Sequence, residues 1–465
     1  MEKVRQTLRD SAVARWTALA LVAFTMLTGY YLTDVMAPLK GLLEQQLSWT
    51  STEYGIFTSA YGWFNVFLLM LIIGGIILDK MGVRFTGLAS TIVMITGTAI
   101  KYWAVSTHSL DGQVWNFLGL FQIKAQVVMA ALGYATFGVG VETAGITVSK
   151  IIVKWFKGKE LALAMGLEMA TARIGTALAL STSVPIAQKL GHVSKPILIC
   201  LIMLCIGFIS FFIFTFMDKK LDASQEAYDK DNEVVANEES FKVSDILKII
   251  SNRGWWFIAI LCVLFYSAVF PFLKYAADMM VNKFGIDQSI AGTIPAVLPF
   301  GTILLTPLFG NLYDRKGKGA TIMIIGAILL IFVHAIFSLP FINQWIIAVL
   351  LIIVLGIGFS LVPSAMWPSV PKIIPEHQLG TAYALIFWVQ NWGLMGVPAL
   401  IGWVLDKYCV TGQKLVEGTL VNTYNYTLPM IIFTTLGVLA LIFGFLLKAE
   451  DKRKGYGLQL PNIQK

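Results

Sequence analysis

Long uninterrupted apolar stretches dominate this chain, and they limit its fold more than any other feature does. A bilayer core of about 30 Å needs roughly 20 apolar residues per helix, and an isolated strand in lipid would leave its backbone groups unpaired. Apolar residues make up 57% and charged residues 13% of the 465 residues, against about 45–50% and about 25% in soluble domains. The sequence therefore predicts an all-α membrane protein with twelve transmembrane helices. The predicted spans are 16–38, 54–78, 84–104, 125–149, 160–186, 196–217, 255–277, 289–311, 319–339, 345–370, 380–404 and 427–447.

One long polar interval separates the first six spans from the last six. The predicted organisation is a six-helix bundle at 1–217, a linker at 218–254, a second bundle at 255–447 and a tail at 448–465. The second part of the linker places five apolar residues on one helical face, which fits either a helix lying in the membrane interface or a loop helix packed on the bundle. Those residues are Phe241, Val243, Ile246, Leu247 and Ile250.

The positive charges are distributed unevenly between the two sides of the predicted membrane. Most of the 35 Lys and Arg residues fall at the termini or in loops on the same side, whereas the opposite side holds few, among them Lys40, Lys101 and Lys274. Cytoplasmic loops carry the excess of Lys and Arg, so both termini are predicted to be cytoplasmic, in a plasma or bacterial inner membrane. The net charge of +8 then reports topology and gives no reason to expect nucleic acid as a partner.

Reactive side chains show no spacing typical of catalysis or metal binding. The four cysteines form no CxxC pair, and three of them lie in apolar runs, where a thiol acts as a small apolar group. We find no nucleophile, metal-ligand or nucleotide motif. We therefore expect no enzyme, cofactor or metal. The expected partners are the lipid bilayer and a small-molecule substrate, with the protein a monomer and an accessory subunit left open.

Two loops about half a chain apart share one pattern. The first runs from Gly75 through Asp79, Lys80 and Gly82 to Arg84, and the second from Gly310 through Asp314 and Arg315 to Lys318. Two such loops at equivalent places in each half indicate a duplicated six-helix unit. Their charges fit a cytoplasmic gate formed by Asp79, Lys80, Arg84, Asp314 and Arg315. These G-x-x-x-D-[RK]-x-G loops resemble the signature of the major facilitator superfamily, which implies two pseudo-symmetric bundles around a cavity alternately open to either face.

Glu142, Glu168 and Arg173 lie well inside predicted spans, where a charge costs at least about 2.5–3.5 kcal/mol and usually marks a pathway or a partner. Glu142 and Arg173 lie almost equally far along the chain from Lys157, so neighbouring antiparallel helices would hold them at a similar depth. They fit either a substrate contact or an ion pair that joins two helices. Glu168, nearer the cytoplasm, could titrate with transport or be a carboxylate satisfied at a helix interface.

Aromatic and amide side chains recur at the same predicted depth. An Asn side chain in lipid needs a hydrogen-bonding partner, whereas a single aromatic residue more often packs or anchors. We include them as candidate substrate contacts. They are Tyr61, Trp63 and Asn65 in span two, Tyr266 in span seven, and Trp388 and Asn391 in span eleven.

Longer motifs are similar to one subgroup, the major-facilitator family that includes the lysosomal dipeptide transporter of animals. They are the runs 155–161, 172–175, 59–65, 268–272, 366–368 and 375–383. This resemblance implies transport of dipeptides recognised through their charged ends. It matches Glu142 and Arg173 to the family's acidic and basic pair, Tyr61, Trp63 and Asn65 to its cavity motif, and Asp34 to an acidic position. Glu168 departs from the animal proteins, which are neutral there, so Glu168 and Asp34 are candidates for proton coupling.

The sequence thus predicts an alternating-access transporter for small zwitterionic solutes, chiefly dipeptides. Arg173 would bind the substrate carboxylate and Glu142 its ammonium group. Two alternatives stay open at this point. One is an organic-anion or organophosphate exchanger of the same fold, and the other is a transport-inactive membrane sensor.

Overall fold

The computed structural model describes residues 8–117, 121–156, 159–232, 243–375, 378–416 and 418–462. Within these residues, the first half of the chain forms eight α-helices and one hairpin. Antiparallel β1 and β2 pair between α5 and α6. The helices are α1 (Ala12–Asp34), α2 (Lys40–Leu47), α3 (Ser51–Ser59), α4 (Trp63–Phe67), α5 (Met70–Ser106), α6 (Ala125–Phe156), α7 (Leu161–Lys189) and α8 (Ser194–Asn232), and the strands are β1 (Val114–Phe117) and β2 (Phe121–Lys124).

The described residues of the second half form seven α-helices, and the chain ends in a tail whose carbonyl groups accept hydrogen bonds from the start of α12. A second antiparallel hairpin, β3 with β4, lies between the last two helices. The helices are α9 (Val243–Ile250), α10 (Arg253–Phe284), α11 (Thr293–Lys316), α12 (Gly319–Ser338), α13 (Trp345–Ser369), α14 (Leu379–Tyr408) and α15 (Thr427–Lys454), and the strands are β3 (Val410–Val416) and β4 (Thr419–Tyr424).

Eleven of the described helices are long and apolar enough to cross a membrane, and the predicted all-α membrane fold is confirmed. The predicted second span has no single helix of its own. It consists of α3, a 3-10 turn at Ala60–Gly62, α4 and the first part of α5, which continues past Gly82 into the predicted third span. The two short hairpins are additions that the apolar pattern did not indicate.

The repeated loops share a glycine with positive φ in both halves. Gly82, three residues after Asp79, has φ 76°, and Gly317, three residues after Asp314, has φ 65°. A positive φ favours glycine because it has no Cβ. The shared glycine therefore allows each loop to turn sharply into the next helix.

The polar interval between the halves begins as helix. α8 continues to Asn232, and Asp218 within it is fully buried against Lys154 and Trp155. Phe241, part of the predicted amphipathic face, lies outside the described residues. In α9, Ile249 is buried, whereas Leu247 is 66% exposed. The helix α9 thus has both a packed side and an exposed apolar residue. The division of the chain into two bundles, a linker and a tail remains a prediction.

Candidate transport cavity

A cavity of about 310 Å³ lies between the two halves. Its walls come chiefly from α1, α3, α6 and α7 of the first half and from α10, α13 and α14 of the second. Small-molecule sites usually measure about 300–1,000 Å³, so this one suits a small solute. Six predicted residues line it: Asp34, Tyr61, Glu142, Glu168, Arg173 and Tyr266.

Glu142 on α6 is held by a tyrosine from the turn after α3. The Tyr61 hydroxyl donates a 2.7 Å hydrogen bond to Glu142 Oε1. Tyr61 can reach α6 because residue 138 is a glycine: a Cβ there would lie 2.3 Å from the Tyr61 carbonyl oxygen. The close helix approach allowed by Gly138 therefore positions Tyr61, and Tyr61 in turn fixes one carboxylate oxygen of Glu142.

Changing Gly138 to alanine should destabilise the protein and disturb this contact. The added methyl group would meet backbone atoms, which cannot rotate away, and overpacking of this kind costs about 1–3 kcal/mol. We expect the melting temperature of the purified protein to fall by several degrees. Gly145→Ala is the matched control, because its added Cβ would meet only Met26 Cε at 3.7 Å. Equal melting temperatures for the two variants would contradict this account.

Arg173 on α7 reaches across to aromatic rings of the second half. Its guanidinium carbon lies 5.6 Å from the centre of the Phe270 ring and 5.3 Å from that of Phe359. Cation–π attraction of this kind orients the guanidinium without using its N–H donors in hydrogen bonds. Among the described residues, no carboxylate lies within 4.0 Å of Arg173, so Glu142 and Arg173 share a cavity without forming an ion pair.

Glu168, one turn nearer the start of α7, also lines the cavity. It forms no ion pair with any residue that the structure describes. The cavity therefore presents two carboxylates and one guanidinium without paired counter-charges.

An ion pair between the two halves lies at the end of the cavity away from the termini. Lys274 on α10 bonds Asp34 Oδ1 at 2.7 Å, the Thr33 carbonyl oxygen at 2.6 Å and the Tyr134 hydroxyl at 3.3 Å. Sequence reasoning assigned Lys274 to the topology count and missed this role. Its position inside the apolar run 255–277 was the available signal.

The other four predicted contacts lie outside this cavity. Asn65 and Asn391 are buried, and the Oδ1 atoms of both have no hydrogen-bond partner among the described residues. The Trp388 indole donates to the Val66 carbonyl oxygen at 3.1 Å, and the Trp63 indole donates to the Ser59 hydroxyl at 3.1 Å. Trp388 bridges α14 to α4, whereas Trp63 packs on α6 and Asn65 faces the Gly138 carbonyl oxygen of α6. The role of all four in substrate binding remains a prediction.

The predicted gate residues form contacts within their own halves in this conformation. Asp79 pairs with Lys150 at 2.7 Å, Arg84 with Asp222 at 3.0 Å, and Asp314 bonds Asn462 at 2.8 Å. The other two, Lys80 and Arg315, are exposed. No ion pair between described residues joins the halves at these loops, and the cavity extends toward them past Glu142 to Ser149.

The two halves are joined instead at the end away from the termini, which we call the closed end. Buried Lys40 of the first half bonds Glu44 at 2.6 Å and Asp278 of the second half at 3.1 Å. Asp278 also accepts from the Tyr426 hydroxyl. The sequence offered no motif for this network, because Lys40 reads as a loop residue.

A helix cap also joins the two halves at the closed end. Asp406 of α14 accepts hydrogen bonds from the backbone N–H groups of Ser51 and Thr52, which begin α3. Asp406 is not among the residues that the sequence singled out. The structure gives that carboxylate a separate role, since an acceptor at a helix N-terminus satisfies orphan donors. The molecule is thus closed at one end and open toward the termini.

Sequence comparisons agree with this architecture. The family model described as Major Facilitator Superfamily matches residues 19–398 and 279–459. The lysosomal dipeptide transporter MFSD1 of Homo sapiens is 27% identical over 407 residues, covering 84% of this chain and 80% of the relative. The Gallus gallus protein of the same name is 31% identical over 289 residues, covering 59% and 62%.

Solved structures share the fold at low identity. The nucleoside transporter NupG has a TM-score of 0.66 at 15% identity, with 93% of this chain and 99% of that chain covered. A bacterial homologue of the human lysosomal transporter Spinster, inward-facing and unoccupied, has a TM-score of 0.68 at 12% identity, with 98% and 99% covered. From fold, cavity and sequence together, this multi-pass membrane protein belongs to the Major Facilitator Superfamily of transporters and resembles the lysosomal dipeptide transporters within it.

Proposed function

We propose that this transporter carries small zwitterionic solutes by alternating access, and that dipeptides are its substrates. The observation that carries the proposal is the pair of unneutralised opposite charges in one cavity. Arg173 has no carboxylate partner among the described residues, and Glu142 receives only the Tyr61 hydroxyl. An ion pair that merely joined two helices would have neutralised both groups.

The chemistry of the two groups matches the two ends of a peptide. A guanidinium presents planar paired donors to a carboxylate, and a carboxylate accepts from an ammonium group. Recognition through the ends of the backbone leaves the substrate side chains free to vary. The name shared by the sequence relatives, lysosomal dipeptide transporter, supports dipeptides over other zwitterions.

A thermal-shift screen of the purified protein tests the substrate class. We expect dipeptides to raise the melting temperature more than free amino acids do, because a ligand that binds only the folded state stabilises it by mass action. Free amino acids carry both charges but at a shorter separation. Stabilisation by sugar phosphates alone would end the dipeptide proposal and favour an anion exchanger.

Proton coupling is proposed for Glu168 rather than for Asp34. Asp34 already has Lys274 as its partner, whereas Glu168 has no described cation within ion-pair distance. In liposomes, an imposed pH gradient should drive substrate accumulation by the wild-type protein, and Glu168→Gln should remove the accumulation while keeping equilibrative exchange. Accumulation by Glu168→Gln equal to that of the wild type would contradict this role.

The orientation proposed from the Lys and Arg distribution puts both termini in the cytoplasm. The open end of the cavity would then face the cytoplasm in this conformation. Protease digestion of a C-terminal tag in intact cells and in permeabilised cells tests it, with cleavage only after permeabilisation as the expected result. The membrane proposed is a plasma or bacterial inner membrane.

A further inference from the structure

Lys101 is a fully buried lysine on the membrane-spanning helix α5. Its exposed fraction is 0%, and its Nζ has no hydrogen-bond partner within the described parts of the chain. A buried ammonium without hydrogen bonds is costly, and cations within spans usually mark a pathway or have a specific partner. In this conformation no carboxylate of the described residues lies within 4.0 Å of this amine.

Aromatic rings surround the amine instead. Lys101 Nζ lies 4.7 Å from the centre of the Tyr134 ring, 5.7 Å from that of Phe137 and 6.0 Å from that of Phe57. Cation–π contacts offset part of the lost hydration, by about 2 kcal/mol in a dry site. They hold the amine in place without the hydrogen bonds that a lysine normally makes.

Tyr134 separates Lys101 from the ion pair at the closed end. Its hydroxyl donates to the Thr33 carbonyl oxygen at 2.6 Å and accepts from Lys274 Nζ at 3.3 Å. Asp34, the next residue after Thr33, holds the same Lys274 at 2.7 Å. One tyrosine side chain thus lies between a paired lysine from the second half and an unpaired lysine from the first half.

The two lysines differ in which half carries them. Asp34, Tyr134 and Lys101 all belong to the first half, whereas Lys274 belongs to α10 of the second. Alternating access moves one half against the other largely as a rigid body, so opening the closed end must withdraw Lys274 from Asp34. Asp34 would then be an unpaired carboxylate in the membrane unless another cation replaced Lys274.

We propose that Lys101 is the reserve partner of Asp34, and that it leaves its aromatic surroundings to pair with Asp34 when the closed end opens. The exchange keeps Asp34 neutralised in both conformations. It lowers the free energy of the state that opens away from the termini. This inference goes beyond the proposed substrate, because it depends on alternating access and not on what is carried.

Spin labels at the exposed positions Ser109 and Phe341 measure the distance across the closed end in full-length protein. In Lys101→Met, the population with the longer distance should fall on the order of tenfold, within the range typical of coupling between states. The melting temperature should stay level or rise, because an unsatisfied amine has been removed. Lys189→Met, which removes an exposed lysine at the same end, is the matched control and should behave as the wild type.

A double-mutant comparison separates the proposal from a purely structural role. In an Asp34→Asn background, Lys101→Met should leave the populations unchanged, because no carboxylate then needs a reserve partner. Unchanged populations in Lys101→Met would overturn the proposal. It would also be overturned if Lys101→Met lowered the long-distance population equally in the wild-type and the Asp34→Asn backgrounds. Lys101→Gln provides the same test if Lys101→Met does not fold. The distances need no substrate, so a failed dipeptide assay leaves this result interpretable.

Discussion

Replacing Arg173 with alanine should reduce dipeptide uptake into liposomes to the background level. Arg173 is the one cation lining the cavity, among the residues described, that has no carboxylate within 4.0 Å. Removing one partner of a desolvated charge pair costs about 2–5 kcal/mol, which corresponds to at least about thirtyfold in affinity. Arg173→Lys should recover part of the uptake, because a lysine keeps the charge but not the planar pair of donors.

The control for this experiment is Arg253→Ala, which removes an exposed arginine at the start of α10, away from the cavity. Its uptake should match that of the wild type. If Arg173→Ala transports normally, the guanidinium only holds the halves together through Phe270 and Phe359. Equal thermal stability of the two alanine variants would show that lost uptake reflects lost recognition and not unfolding.

The second large effect is expected for Glu142→Gln, and it depends on the substrate. The wild-type protein should bind a free dipeptide more tightly than the same peptide acetylated at its amino terminus. A hydrogen bond to a charged group contributes about 1.5–3 kcal/mol, so the ratio should be at least about tenfold. Glu142→Gln should bind both peptides equally weakly, because neither the amide nor an acetylated terminus supplies the missing charge.

Substrate competition measured by thermal shift gives this ratio for each variant. Glu160→Gln is the comparison, because Glu160 pairs with Arg15 outside the cavity and its side chain is 47% exposed. It should keep the wild-type preference for the free amino terminus. A Glu142→Gln protein that still discriminates as the wild type does would place the ammonium group elsewhere, with Glu168 the next residue to test.

The chain's sequence was sufficient for the fold and for picking out Glu142, Glu168 and Arg173 as unusual charges, because both depend on local rules. Apolar length predicts spans, and the repeated loops around Asp79 and Asp314 predict duplication. Glu142 and Arg173 stood out because a charge inside an apolar run is costly. The structure lines one cavity with both, as their similar distances from Lys157 had suggested.

Contacts between the halves could not be predicted, since they depend on which residues meet across the interface. Lys40, Lys101 and Lys274 were counted as topology charges near span ends, yet each is buried or largely buried in the structure. Trp388 and Asn391 have the composition of a binding site, but they pack between α14 and the broken second span. The position of a residue within an apolar span indicates its depth in the membrane. It does not indicate which neighbouring helix the side chain will face.

A structure of the protein with a bound dipeptide tests the central claim most directly. The account predicts the peptide carboxylate within hydrogen-bonding distance of the Arg173 guanidinium and the ammonium group at the Glu142 carboxylate, with Asp34 and Lys274 still paired. A dipeptide bound with its ends on Asp34 and Lys274, or bound in the reverse direction with its carboxylate away from Arg173, would contradict it.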